Sequence, residues 1–162
     1  MKFGIYPNLG KKDLKMALER LTALLRDKNI DYSLPLSMKK GLMDMGFTED
    51  TYETDESMGK RDFILSVGGD GSFLGAARAF RDYPVLMAGL HLGDLGFLNS
   101  MTLKDMEKRV DQILSGDYQE EHRLYLSAAL IHGDGRREKL PTVLNDVVIG
   151  HASIGQLARI RL

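Results

Sequence analysis

The chain has no cysteine and no excess of charge of either sign. Without cysteine there are no disulfides and no thiolate metal sites, which suits a reducing compartment. The formal net charge is −1 and no basic run occurs, so the electrostatic footprint of a nucleic-acid binder is missing. No stretch reaches the ~18 consecutive apolar residues of a membrane-spanning helix. The opening residues, MKFGIYPN, lack the charged region and apolar stretch of a secretory signal. Internal repeats, linkers and low-complexity tracts are absent as well. These absences predict a cytoplasmic protein with no nucleic-acid and no membrane partner. Two phosphate-binding fingerprints, GxGxxG and GxxxxGK[ST], are also missing from the main glycine-rich turn.

What is present is enough for a real core. The 162 residues, 43% of them hydrophobic, suit one domain, or one domain and part of another. The most informative segment runs from Asp62 to Arg78, DFILSVGGDGSFLGAAR. Its apolar run, Phe63 to Val67, reads as a strand buried on both faces. The strand stops at Gly68, Gly69 and Gly71, wrapped around Asp70. Ser72, a good N-cap residue, then opens a helical pattern through Arg81. In such a turn, bare backbone N–H groups and the positive end of the helix favour a phosphate. An acid at that place costs anion binding unless it has a task. Asp70 can hold Mg²⁺, or accept a proton from a hydroxyl under attack. The competing reading is an ordinary strand-to-helix turn, in which glycine and Asp are common.

The rest of the chain alternates strands and helices. Phe3 to Tyr6 reads as a strand stopped by Pro7 and Asn8. Asp13 to Lys28 reads as a helix with Leu14, Leu18, Leu21 and Leu25 on one face. Ile30 to Leu34 is a second strand, ended by Pro35. From Ser37 to Lys60 the pattern blurs into a weak helix and a mobile loop around the acidic patch Glu49–Glu56. Val85 to Ala88 is a further strand. Thr102 and Asp105 form a capping-box pattern ahead of a helix with Met106, Val110, Ile113 and Leu114 on its apolar face, stopped by Gly116. Alternation of this kind predicts a parallel sheet covered by helices on both faces. After about Arg123 only strands are predicted: Leu124–Ile131, Leu140–Ile149 and Ile154–Leu162. The last alternates apolar and polar residues with period two.

Four segments fall in a definite order: GGDGSFLGAAR at Gly68–Arg78, GLHLGDLGFLN at Gly89–Asn99, YQEEHRLYL at Tyr118–Leu126, and LNDVVIG at Leu144–Gly150. In order and spacing they resemble the bacterial NAD kinase family, from about residue 60 onward. The resemblance implies an α/β fold class: a Rossmann-like parallel-sheet domain over residues 1–120, carrying the GGDG motif, followed by the start of an all-β, NAD-binding second domain over 121–162. Ser72 replaces the family's usual Thr and keeps the hydroxyl. Asp146 stands where many members carry Glu and is one methylene shorter. The family's later glycine- and Ser/Thr-rich segment and its closing helix are not in the chain.

The implied reaction moves the γ-phosphoryl of ATP, or of polyphosphate, to the adenosine ribose 2′-hydroxyl of NAD, giving NADP. By resemblance Asp70 is the catalytic acid–base residue. Gly68, Gly69, Gly71 and Ser72 bring the backbone close to phosphate and ribose. Asn145 and Asp146 suit contact with adenine and ribose, although an Asn-Asp pair also makes an ordinary turn. Phe97 can face the nucleotide or pack in the core. Mg²⁺ is expected to arrive with ATP, held by phosphates and waters, with no dedicated protein cage. His122, His132 and His151 show no ligand spacing, so no zinc site is assigned; His91 is given no chemistry. Glu121 and Arg123 are expected to pair across the domain junction. Three alternatives compete: a non-catalytic nucleotide-binding module, a lipid kinase of the diacylglycerol type, and a phosphofructokinase. Each shares or could carry the GGDG turn. The lipid kinase lacks a visible apolar acceptor site, and the phosphofructokinase lacks its PGTIDND-like segment. The bare strand edge at Ile154–Leu162 predicts self-association into a homo-oligomer. A half-built ligand wall predicts weak NAD binding and no NAD phosphorylation by these residues alone.

Overall fold

The alternation of apolar strands and one-faced helices builds the expected α/β layers. In the computed structural model, which describes residues 1–93, 96–144 and 146–148, β1 (Lys2–Pro7) leads into α1 (Leu14–Asp27). Leu14, Leu18, Leu21 and Leu25 are all fully buried, each gaining about 1.5–3 kcal/mol by leaving water. Asn29, at φ 55°, turns the chain out of α1 in the left-handed conformation that asparagine tolerates. Then come β2 (Asp31–Pro35), α2 (Lys39–Asp44), β3 (Tyr52–Glu53) and α3 (Asp55–Met58). Every residue of β4 (Phe63–Gly68) is buried, and α4 (Asp70–Ala79) begins almost at once. The first compact unit, Met1–Glu120, is completed by β5 (Leu86–His91), β6 (Met101–Thr102) and α5 (Met106–Ser115). Gly116 ends α5 at φ 76°, the stop read from the sequence.

The six strands pair in the order β3-β2-β1-β4-β5-β6, and every pair is parallel. From β1 the chain steps outward to β2 and β3. It then crosses back to the other side of β1 and continues through β4, β5 and β6. The direction of travel therefore reverses between β1 and β4. The carboxyl ends of two strands splayed in this way open a crevice for ligands. Helices cover both faces of the sheet. Phe63, Leu65 and Val67 of β4 belong to the core that includes the α1 leucines and Val110 and Ile113 of α5. Ile64 points the opposite way, into a smaller cluster with Met58, Ala76 and Phe80. Tyr118 closes the unit by packing edge-on to Phe63, ring centroids 5.4 Å apart. No helix among the described residues is long and apolar enough to cross a membrane.

The acidic patch departs from its reading as a mobile loop. It contains β3 and α3, because its carboxylates have partners elsewhere in the unit. The Arg61 side chain, only 7% exposed, donates from Nε and Nη2 to Glu53 at 3.0 and 2.8 Å and from Nη1 to the Phe3 carbonyl at 3.2 Å. Ser33 also donates to Glu53, at 3.2 Å. Tyr32 donates to Glu49 at 3.0 Å, and Arg26 pairs with the same carboxylate. Spacing along the chain gives no hint of these cross-strand pairs.

The second unit, Glu121–Leu162, holds a hairpin of β7 (Ala129–Ile131) and β8 (Arg137–Lys139), antiparallel as expected. Gly135, at φ 83°, supplies its turn. The return strand comes earlier than the sequence pattern placed it, because the turn is tight. Within Leu140–Ile149 the described pairing is the Leu140 N–H donating to the Ala128 carbonyl at 2.9 Å and a bridge between Leu126 and Val143; Pro141, between them, has no N–H to donate. Glu121 and Arg123 pair with each other, at 2.9 Å, within the second unit. The predicted strand Ile154–Leu162 and the candidate Asn145 lie outside the described residues.

The Arg61 cluster makes the first unit sensitive to acid. Hydrogen bonds from Arg61 hold the Glu53 carboxyl below the usual carboxylate range. The stability it contributes is complete above that range and is lost as the pH falls through the lowered value. Glu53→Gln should therefore cost about 1–3 kcal/mol at neutral pH and flatten the loss of stability on acidification. Urea unfolding across a pH series would measure both. An unchanged acid branch in the variant would show that other carboxylates carry it.

Candidate functional site

The crevice between β1 and β4 is occupied by the glycine turn. Gly68, at φ 155°, bends the chain off the end of β4. A Cβ on it would fall on the Ser72 side chain, so only glycine fits. Gly69 is extended and caps α4, which places Asp70 at the first position of the helix. Ser72 is thus not the N-cap. It lies a turn inside the helix, buried, and its Oγ accepts from the Gly69 N–H at 3.1 Å. It also accepts from Asn8 Nδ2 at 2.8 Å. Asn8 in turn donates its backbone N–H to the Val67 carbonyl at 2.9 Å. The ends of β1 and β4 are therefore locked together through one serine hydroxyl.

Asp70 is met by a second loop. Its Oδ2 accepts from the Phe97 N–H at 2.8 Å and its Oδ1 from the Leu98 N–H at 3.2 Å. Asn99 Nδ2 lies 3.4 Å from Asp70 Oδ1 and 3.4 Å from His91 Nδ1. The Phe97 N–H, then that of Leu98, and the nearby His91 hold the Asp70 carboxyl below its ordinary value. Two glycines make this approach possible. A Cβ on Gly96 would fall on the Asp70 carboxylate, and one on Gly89 would fall on Asn99 Oδ1. Around Asp70 opens a cleft of about 580 Å³, lined by Asn8, Lys11, the 69–72 turn, His91, Leu92, Gly93 and Gly96.

Five of the residues singled out from the sequence converge here: Gly68, Gly69, Asp70, Gly71 and Ser72. Gly71 faces open space, with nothing within 4 Å of where a Cβ would stand. Phe97 is 99% exposed, which rules out the core-packing reading of its ring. Asp146 is an exposed residue of the second unit. The sequence reading missed Asn8, Lys11 and Asn99, and left His91 without a role. Asn8 had a signal, as the polar residue directly after the β1 strand. The others are brought in by the crossing of the chain, which spacing does not show. Among the described residues no group of three or more His, Asp or Glu side chains is arranged to hold a metal ion.

Comparison with known proteins gives this geometry a lineage. Residues 3–118 match the family model of the ATP-NAD kinase N-terminal domain. An NAD kinase of Teredinibacter turnerae is 36% identical over 148 residues, 90% of this chain and 49% of that protein. One of a Thermoanaerobacter species is 31% identical over 160 residues, 98% of this chain and 55% of that protein. The chain thus spans about half the length of the curated relatives it matches. Yeast NADH kinase complexed with NADH has the same fold, with a TM-score of 0.70 at 17% identity over 88% of this chain and 46% of that one. An Archaeoglobus fulgidus NAD kinase in complex with ATP gives 0.54 at 18% identity over 83% of this chain and 45% of that one. The GGDG turn at the strand crossover lies within the matched region, and by that match the chain belongs to the NAD kinase family.

Proposed function

We propose that the protein phosphorylates the adenosine 2′-hydroxyl of NAD, taking the terminal phosphoryl from ATP or polyphosphate and releasing NADP. The observation that carries this reading is an acid, Asp70, at the start of α4 inside an open glycine-lined cleft. In the transfer, the 2′-oxygen bonds to the terminal phosphorus and the bridging P–O bond breaks. The hydroxyl proton passes to Asp70, and the shortened phosphate chain leaves with the bond electrons. Such chemistry depends chiefly on position and on neutralising charge. The hydrogen bonds that hold its carboxyl below the ordinary value favour the carboxylate, the form that accepts a proton. The Phe97 and Leu98 N–H groups use one direction of each oxygen, and a carboxylate has further lone pairs for the substrate hydroxyl.

The surrounding residues take distinct parts in this reading. Gly71 lets phosphate or ribose reach the backbone without hindrance. The α4 N-terminus, a ten-residue helix, favours anionic oxygens. Ser72 acts by position, since its hydroxyl is already bonded to Gly69 and Asn8. The bare Phe97 ring offers a stacking surface for a base. Asn145 and Asp146 are assigned to the nucleoside on the strength of their motif. Mg²⁺ enters as part of the ATP substrate, held by phosphate oxygens and water.

In the full-length protein, Asp70→Asn should leave the thermal midpoint nearly unchanged and lower NADP formation by about 10²–10⁴-fold. Turnover close to that of the wild type would remove Asp70 from the base role. Asp146→Ala should raise the KM for NAD by roughly 5–150-fold, the cost of one unpaired polar group, and leave the KM for ATP nearly unchanged. Equal effects on both substrates would mean that Asp146 shapes the protein instead of reading the nucleoside.

A further inference from the structure

Resting on that reading, we infer that Lys11 is the cation that grips the donor's phosphate chain from the β1 side of the cleft. Lys11 follows β1 in a turn whose position is set by Asn8. The Lys11 N–H donates to the Asn8 carbonyl at 3.1 Å, and the Gly10 N–H to Asn8 Oδ1 at 3.0 Å. Asn8 is itself tied to Val67 and Ser72. The lysine is thus carried by the same hydrogen bonds that hold the glycine turn. Its Nζ stands 3.6 Å from where a Cβ on Gly69 would be, with the His91 ring edge 3.9 Å from the same point. Gly69 therefore forms the floor of a slot walled by Lys11 and His91, and both residues line the cleft.

Two further observations point the slot at an anion. Among the described residues, Lys11 has neither a hydrogen-bond nor an ion-pair partner for its ammonium. Among the described residues it does not pair with Asp70 across the cleft. His91 is 8% exposed. Its Nδ1 lies 3.4 Å from Asn99 Nδ2, which fixes the ring in the wall of the slot. A lysine ammonium is a compact charge with three donors on a flexible stem. It can follow a terminal phosphoryl as that group moves from donor to acceptor, which a rigid fork of donors cannot do.

The test is a calorimetric titration of this chain with inorganic triphosphate and with Mg·ATP. The proteins compared are the wild type, Lys11→Met, Lys11→Arg and, as an exposed control, Lys12→Met. Lys11→Met should weaken triphosphate binding by about 10–100-fold, the range for a charge-assisted hydrogen bond. Lys11→Arg should retain most of the affinity, and Lys12→Met all of it. Equal affinity in the wild type and Lys11→Met overturns the inference and leaves the kinase reading intact. Absence of binding by the wild type itself overturns both. Lys11-dependent triphosphate binding in a protein whose full-length form makes no NADP supports the grip and overturns the kinase reading.

Discussion

The rest of the structure depends on the pairing of β4 with two parallel neighbours along its whole length. β4 meets β1 from Phe3↔Phe63 to Pro7↔Val67 and β5 from Phe63↔Leu86 to Gly68↔His91. A strand flanked on both edges and covered on both faces cannot slip by one residue. Such a slip would exchange Phe63, Leu65 and Val67 for Ile64 and Ser66 between the two faces. Because β4 is fixed, its last residue is fixed, and so is the turn that follows. Gly68 bonds forward through its carbonyl to the Leu92 N–H at 2.7 Å. The turn is thereby registered against the end of β5, and the loop after β5 can reach Asp70.

Asp70 is placed under opposing demands. The N-terminus of α4 favours a carboxylate at its first position, and two N–H groups of the 97–98 loop deepen that preference. A phosphate ligand at the same helix end would oppose it. Lys11 on one wall and the start of α4 on the other bring positive charge to the cleft beside that acid.

Elements with strong local pattern were legible in the sequence. The four leucines of α1 are all buried, the Phe63 run is buried on both faces, and Gly116 ends its helix in the left-handed conformation. Thr102 and Asp105 do interact, the Thr102 N–H and Oγ1 both donating to Asp105 at 2.6 Å, but α5 starts at Met106 with Asp105 as its N-cap, so the pair does not form the capping box the pattern implied. Legibility failed where partners are distant in sequence. The acidic patch looked loose because Arg61, Arg26 and Tyr32, which hold its carboxylates, carry no periodic signal. Ser72 looked like a cap because serine commonly is one; a glycine two residues after β4's last buried valine took that place, and the serine hydroxyl was drawn inward to Asn8.

By itself the sequence determined the layers, the family and the acid at the glycine turn. Hydrophobic period, glycine placement and motif order are local properties, written in adjacent residues. Tertiary structure decided which residues share the cleft. Asn8 and Lys11 come from the end of β1, Asp70 from the start of α4, and His91 and Asn99 from the end of β5 and beyond. They meet because the chain reverses its direction of travel between β1 and β4 and brings the strand ends to one edge of the sheet. That meeting is set by which strands pair, and strand pairing is a long-range choice governed by the burial of whole faces, with no signature in any short stretch of the chain.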